Sequence, residues 1–180
     1  MPDYGVDTDR WRALPWSWAA HRLIGARNYW LVTVSAAGRP HALPVWGVWN
    51  DEEHRFCFSC GPRSRKARDL AANPHVSVAP EDTVEVVSVE GTAVSVHDES
   101  RRECWIERYL AKYRPVSPEL SAGFVRENVI VEVTPRRVFA VIEREQEFAT
   151  RATRWRLPSD VATRENSSCA RRAGEAARSR

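Results

Sequence analysis

The sequence predicts a mainly β fold with helices, an antiparallel β-barrel whose helices plug or flank it. Three observations predict it. Short β-rich runs follow one another closely: "YWLVTVS" (29–35), "PHALPVWGVW" (40–49), "RFCFSC" (55–60) and "HVSVA" (75–79), a spacing typical of barrels. The longer run "VEVVSVEGTAVSV" (84–96) alternates valine as a barrel wall does. No Gly-x-Gly-x-x-Gly occurs and strands do not alternate regularly with helices, which argues against a parallel nucleotide-binding sheet.

The elements follow in order. Residues 1–15 form an N-terminal extension. Pro15 then opens a short amphipathic helix with Trp16, Ala19, Ala20 and Leu23 on one face, and Gly25 stops it. "AAGR" turns strand 29–35 into strand 40–49. Pro44 interrupts the second strand. It lacks the N–H that a central ladder needs, so a bulge or a locally unpaired edge is expected there. "NDEEH" turns the chain into strand 55–60. Ser64 is placed to cap a two-turn helix beginning at Arg65, which ends at Asn73-Pro74. Strands 75–79 and 84–96 resume the sheet, with Glu90-Gly91 marking a bulge. Asp98 caps a longer helix that carries Trp105, Tyr109 and Tyr113 in register and ends before Pro115. Strands 128–133 and 138–143, joined by a turn at "TPR", close the sheet, and 148–157 is a short aromatic segment. The barrel domain is thus 16–157. From Pro158 to Arg180 the Arg/Ala/Ser composition shows no apolar periodicity, and a disordered tail is expected.

Charge narrows the function. The formal net charge is +3. Arg164, Arg171, Arg172, Arg178 and Arg180 outnumber the acids of the tail, so the body is nearly neutral. A dedicated nucleic-acid binder carries more positive charge on its folded part. No apolar run reaches the length of a membrane span. The first residues lack the basic segment and apolar stretch of a signal peptide, so a cytoplasmic location is expected. Of 27 basic residues only Lys66 and Lys112 are lysines. A lysine at 66, against that preference for arginine, is read either as a need for a compact ammonium or as chance.

Cys57-x-x-Cys60 invites a redox or zinc reading. In a strand, however, residues three apart point to opposite faces, and no second Cys or His pair follows at zinc spacing. No metal or dithiol site is expected.

"CGPRSRKARDL" (60–70) crowds Arg63, Arg65, Lys66 and Arg68 around a Gly-Pro turn and a helix start. The residues alone allow a solvated basic helix start or an anion seat, since the N-terminus of a helix favours negative charge. The residues leave both open, and the order of the pieces carries a resemblance that bears on the choice. "GRPHALPVW", then "FSC" leading into "SRKARDLAANP", then "VEGTA" and the late "TRWRL", resembles the split β-barrel flavoprotein superfamily of pyridoxamine 5′-phosphate oxidase. Within it, the branch of deazaflavin (coenzyme F420)-dependent reductases is the most similar. The resemblance covers about Trp16 to Leu157. Asp69 departs from it: the family often has Asn at that position, and the change is expected to bear on helix capping.

The resemblance implies a split barrel that binds a phosphate-bearing ring cofactor. Ser64, Arg65 and Lys66 would hold the phosphate. The backbone of Leu43, Pro44, Val45 and Trp46 would lie along the ring, with Ser59 and Cys60 flanking it. Glu85, Val86 and Val87 would come from the partner subunit of a homodimer with a shared site. The implied cofactor is F420, with FMN as the alternative and haem a distant third. The implied reaction is hydride transfer to or from a small organic substrate. A pyridoxamine 5′-phosphate oxidase-like enzyme and a non-catalytic carrier are the other readings. No Ser-His-Asp grouping or His-Glu-x-x-His occurs, which suits chemistry carried by a cofactor, and no catalytic residue is assigned. His41 is read either as a surface histidine or as a group handling substrate or protons. Trp46 and Trp49, three apart, should face opposite ways, in core or dimer contact.

Overall fold

The computed structural model describes residues 7–158. Residues 1–6, and the expected tail beyond Pro158, lie outside the described residues. In chain order the elements are α1 (Trp16–Gly25), β1 (Tyr29–Val34), β2 (Pro40–Val45), β3 (Gly47–Asn50), β4 (Arg55–Cys60), α2 (Arg65–Ala72), β5 (His75–Pro80), β6 (Glu85–Ser95), α3 (Glu99–Tyr113), α4 (Ala122–Arg126), β7 (Val129–Ile142), α5 (Glu145–Arg151) and β8 (Thr153–Arg156). Every pairing is antiparallel.

The expected strand 40–49 is two strands, and the break closes the barrel. The strand order is β2-β1-β5-β6-β7-β4-β3, with β8 on β7. β2 and β3 therefore lie at opposite ends of the path, although Trp46 alone separates them in sequence. Only a sheet that curls until its edges approach each other allows that. β2, which carries Pro44, is an edge strand, where a missing N–H is tolerated. Gly47 allows the turn inward: a Cβ there would lie 2.1 Å from the Phe56 ring.

"TPR" does not turn. β7 runs through Thr134-Pro135-Arg136 as one strand. The reason lies across the sheet, where the register shifts between Glu90 and Gly91 and Gly91 pairs with Pro135. The bulge absorbs the proline. The backbones approach so closely that a Cβ on Gly91 would sit 2.4 Å from the Thr134 carbonyl oxygen. α4, α5 and β8 were not separated in the sequence, being short and without a strong period.

Two clusters hold the fold. The inner faces of β1, β5, β6 and β7 contribute Leu31, Val78, Val87, Val89, Val138 and Ala140, joined by Ala19 and Leu23 of α1. Leu14, from the N-terminal extension, enters the same cluster, and its N–H donates to Thr153 Oγ1 at 2.8 Å. The second cluster packs Trp105, Ile106, Tyr109 and Tyr113 of α3 against Val48, Cys57 and Ile130. Cys57 and Cys60 belong to different clusters, on opposite sides of β4. Burial pushes the Cys57 thiol well above its ordinary value, so it is not a reactive thiolate. Trp49 and Trp46 likewise pack into the first and second clusters respectively.

Among the described residues no helix is long and apolar enough to cross a membrane, and no group of His, Cys, Asp and Glu is placed to hold a metal.

Candidate functional site

Three chain segments share the first core cluster. Gly47 pairs with Phe58, so Trp46 and Val45 come next to the end of β4, where Ser59 and Cys60 lead into the Gly61-Pro62 turn. Val45 and Cys60 share the first core cluster, and Ala67 and Leu70 of α2 pack against it. α2 thus packs on the same cluster as Val45 and Cys60.

The helix start is built as its residues require. Ser64 has extended backbone and its Oγ accepts from the Ala67 N–H at 3.2 Å. The first turn contains no acid. Arg63, Arg65 and Arg68 are exposed and Lys66 is half-buried. None of the four forms an ion pair with another described residue. Four cations and the N–H groups of a helix start thus stand together, with no carboxylate of the described residues in an ion pair with any of the four cations.

β2 presents its outer edge without a strand partner. Leu43 and Pro44 are exposed, whereas Val45 is buried. Trp46 stacks on Tyr113, with ring centroids 4.5 Å apart and planes 4° from parallel. Burial pushes the Tyr109 hydroxyl up to about 12, and the neighbouring Ser59 side chain opposes that shift.

Asp69 carries a role that the sequence did not reveal. Its carboxylate does not cap the helix. It lies buried and Oδ2 accepts from Thr33 Oγ1 at 2.7 Å and stands 2.9 Å from His41 Nδ1. α2 is thereby tied to both strands of the β1–β2 hairpin, in which Thr33 and His41 are directly paired. Burial opposes the charge on Asp69, but the hydrogen bonds of His41 and Thr33, with the charges of His41 and Arg65, outweigh it and hold the carboxyl below its ordinary range. His41 is accordingly a partly exposed histidine whose ring is satisfied by Asp69.

A prediction follows from this tie. Asp69→Ala leaves Thr33 and His41 unpartnered and is expected to cost about 1.5–3 kcal/mol per lost bond. Asp69→Asn, whose amide oxygen still accepts, retains most of the stability. In the wild type the contribution is fully present above about pH 4, the unfolded carboxyl's value. It is lost as pH falls through the lower folded value. Melting curves of both variants between pH 3 and pH 7 check this; Asp69→Ala as stable as wild type at pH 7 would remove the tie.

Glu85, Val86 and Val87 do not join this group within one chain. β6 lies three strands from β2. Glu85 pairs with Arg22 and, at 2.7 Å, with Arg144. Val87 is wholly inside the core, and Val86 is half-buried on the outer face. That face is largely apolar: Trp30 is 47% exposed, and Val32, Ala79, Val86, Phe139 and Val141 are half-buried around it. A cavity of about 440 Å³ opens at the far end of the same sheet, lined by Val34, His75, Glu90, Arg136 and Arg137 among others. It shares no residue with the group around α2.

A family model described as Pyridoxamine 5'-phosphate oxidase matches residues 20–142. Among solved structures, the chain is similar to a conserved hypothetical protein from Mycobacterium tuberculosis, at 21% identity and TM-score 0.64, covering 78% of this chain and 91% of that one. It is similar to General Stress Protein 26 from Bacillus anthracis, at 19% identity and TM-score 0.58, covering 78% and 97%. It is also similar to the heme storage protein HutZ from Vibrio cholerae, at 20% identity and TM-score 0.57, covering 74% and 100%. At such identities the likeness is one of fold, a split β-barrel. No curated protein matches the chain.

Proposed function

The chain belongs to the pyridoxamine 5′-phosphate oxidase family, and on that premise we propose that it is a cytoplasmic oxidoreductase that binds a phosphate-bearing, flavin-type ring cofactor at the start of α2. The observation that carries this reading is the group Arg63, Arg65, Lys66 and Arg68 around a Ser64-capped helix start, without an ion-pair partner among the described residues. Ser64, the first N–H groups of α2, and Lys66 would hold the phosphate. The open edge of β2, from Leu43 to Trp46, would orient the ring through its backbone, with Ser59 and Cys60 beside it. Such a cofactor supplies hydride chemistry toward a small organic substrate.

F420 is favoured over FMN. One phosphate needs fewer than four cations, and the carboxylates of a deazaflavin's oligoglutamate tail give Arg63 and Arg68 something to meet. FMN is the second reading, because it needs the same phosphate seat. We further propose a homodimer across the outer face around Trp30, which would bring the partner's strand of Glu85, Val86 and Val87 to the site. A pyridoxamine 5′-phosphate oxidase-like activity or a non-catalytic carrier would use the same cofactor seat.

The test is a titration of the purified protein with F420, FMN and haem, followed by fluorescence or absorbance. Saturable F420 binding tighter than FMN is expected. Tighter FMN binding would move the assignment to FMN, tight haem binding alone would replace the hydride reading, and binding of none would remove the seat.

A further inference from the structure

We propose that Lys112 is the cation behind the ring site: seated against the Trp46–Gly47 backbone, it favours the anionic, reduced form of the bound cofactor over the oxidised form. This rests on the placement of the ring along Leu43 to Trp46.

The geometry comes first. Lys112 leaves α3 one residue before Tyr113, and its Nζ donates to the Gly47 carbonyl at 2.9 Å and to the Tyr29 hydroxyl at 2.7 Å. The ammonium stands 4.7 Å from the centre of the Tyr29 ring and 5.4 Å from that of Tyr113. Tyr113 in turn stacks on Trp46, and its hydroxyl accepts from the Gly47 N–H at 2.7 Å. The cation is thus coupled to the junction of β2 and β3 through a hydrogen bond and a stacked ring pair.

The charge is uncompensated. No carboxylate among the described residues pairs with Lys112, and its partners are neutral oxygens and aromatic faces. Around it, β1 contributes Tyr29, β3 the Gly47 carbonyl, and α3 Tyr113. Arg27 and Glu81 act on Tyr113 from the neighbouring loops. Glu81 is exposed and accepts from Asn28 Nδ2 at 2.7 Å. Burial alone pulls the Lys112 ammonium down to about 8, whereas it pushes the Tyr29 and Tyr113 hydroxyls up, so neither phenol offers a negative charge at neutral pH. A half-buried cation without a counter-charge is costly. An anion arriving nearby removes that cost.

Two-electron reduction by hydride supplies such an anion. The ring gains a proton and two electrons, hence one negative charge, and needs no second proton while a cation offsets that charge. Coupling runs both ways. The reduced, anionic ring raises the proton affinity of Lys112, so its binding above pH 8 takes up a proton. The oxidised ring does so less.

The experiment measures dissociation constants for oxidised and reduced cofactor, FMN with dithionite and F420 with borohydride, in wild type, Lys112→Met and Lys112→Arg. In wild type the preference for the reduced form is expected to fall as pH rises from 7 to 10. In Lys112→Met the preference drops about tenfold at pH 7 and no longer changes with pH. Lys112→Arg keeps the pH 7 preference. Binding of both forms by Lys112→Met with an unchanged ratio overturns the role of Lys112 alone. Failure of wild type to bind either form overturns the ring reading and this inference together. If Lys112→Met does not fold, the wild-type pH profile and Lys112→Arg decide: a flat profile overturns the proposal.

Discussion

Lys66→Ala is expected to weaken cofactor binding about 10- to 150-fold while leaving the fold intact. A charge-assisted bond to phosphate is worth roughly 1.5–3 kcal/mol, which converts to that range in dissociation constant. The fold survives because Lys66 is half-buried and makes no ion pair, whereas the helix is held by Ser64 at its start and Asp69 beneath it. Lys66→Arg should recover only part of the affinity, since a planar fork does not reproduce a compact ammonium in a narrow seat. The loss should nearly vanish for riboflavin or the dephosphorylated deazaflavin, which lack the group that Lys66 would meet. Titration of wild type and variant with phosphorylated and dephosphorylated forms checks this. Equal affinity of the two proteins for the phosphorylated form would return 63–68 to a solvated helix start.

Trp30→Glu is expected to turn a dimer into a monomer. Trp30 is 47% exposed on the outer face of β1. Directly opposite it in the ladder stand Pro44 of β2 and Ala79 of β5. Val32, Val86, Phe139 and Val141 extend the apolar surface. A carboxylate left unpaired inside such a contact costs about 3–5 kcal/mol, or roughly two to nearly four orders of magnitude in dimer dissociation constant. The melting temperature of the monomer should change little, because the Trp30 side chain lies outside both core clusters. Light scattering across a dilution series measures the assembly, and cofactor titration of the same samples asks whether the site is shared. A wild-type chain that is monomeric at micromolar concentration would remove the interface. A Trp30→Glu dimer would place it elsewhere, and a monomer with full cofactor affinity would confine the site to one chain.

The sequence by itself determined what single residues and short periods control. Ser64 caps α2 and Asp98 caps α3, with its carboxylate accepting from the Arg101 N–H at 2.8 Å. Gly38 takes a φ of 75° in the turn between β1 and β2, and Gly91 sits in the bulge. Trp105, Tyr109 and Tyr113 are all buried along one side of α3. Each is a local matter: a side-chain oxygen within reach of its own helix, a backbone angle that glycine permits, or a 3.6-residue repeat. The basic segment at 63–68 was legible for the same reason. What only the tertiary structure decided depends on partners far along the chain. Thr134-Pro135 reads as a turn until Gly91 is found opposite it. The run 40–49 reads as one strand until its halves are seen at opposite edges of the sheet. Asp69 reads as a detail of its own helix until Thr33 and His41, 36 and 28 residues away, are found on its carboxylate. Lys112, in the sequence only one of two lysines, finds Tyr29 and Gly47 around its ammonium in the fold. A buried polar group is explained by its hydrogen-bond partners, and only the folded chain brings those partners together.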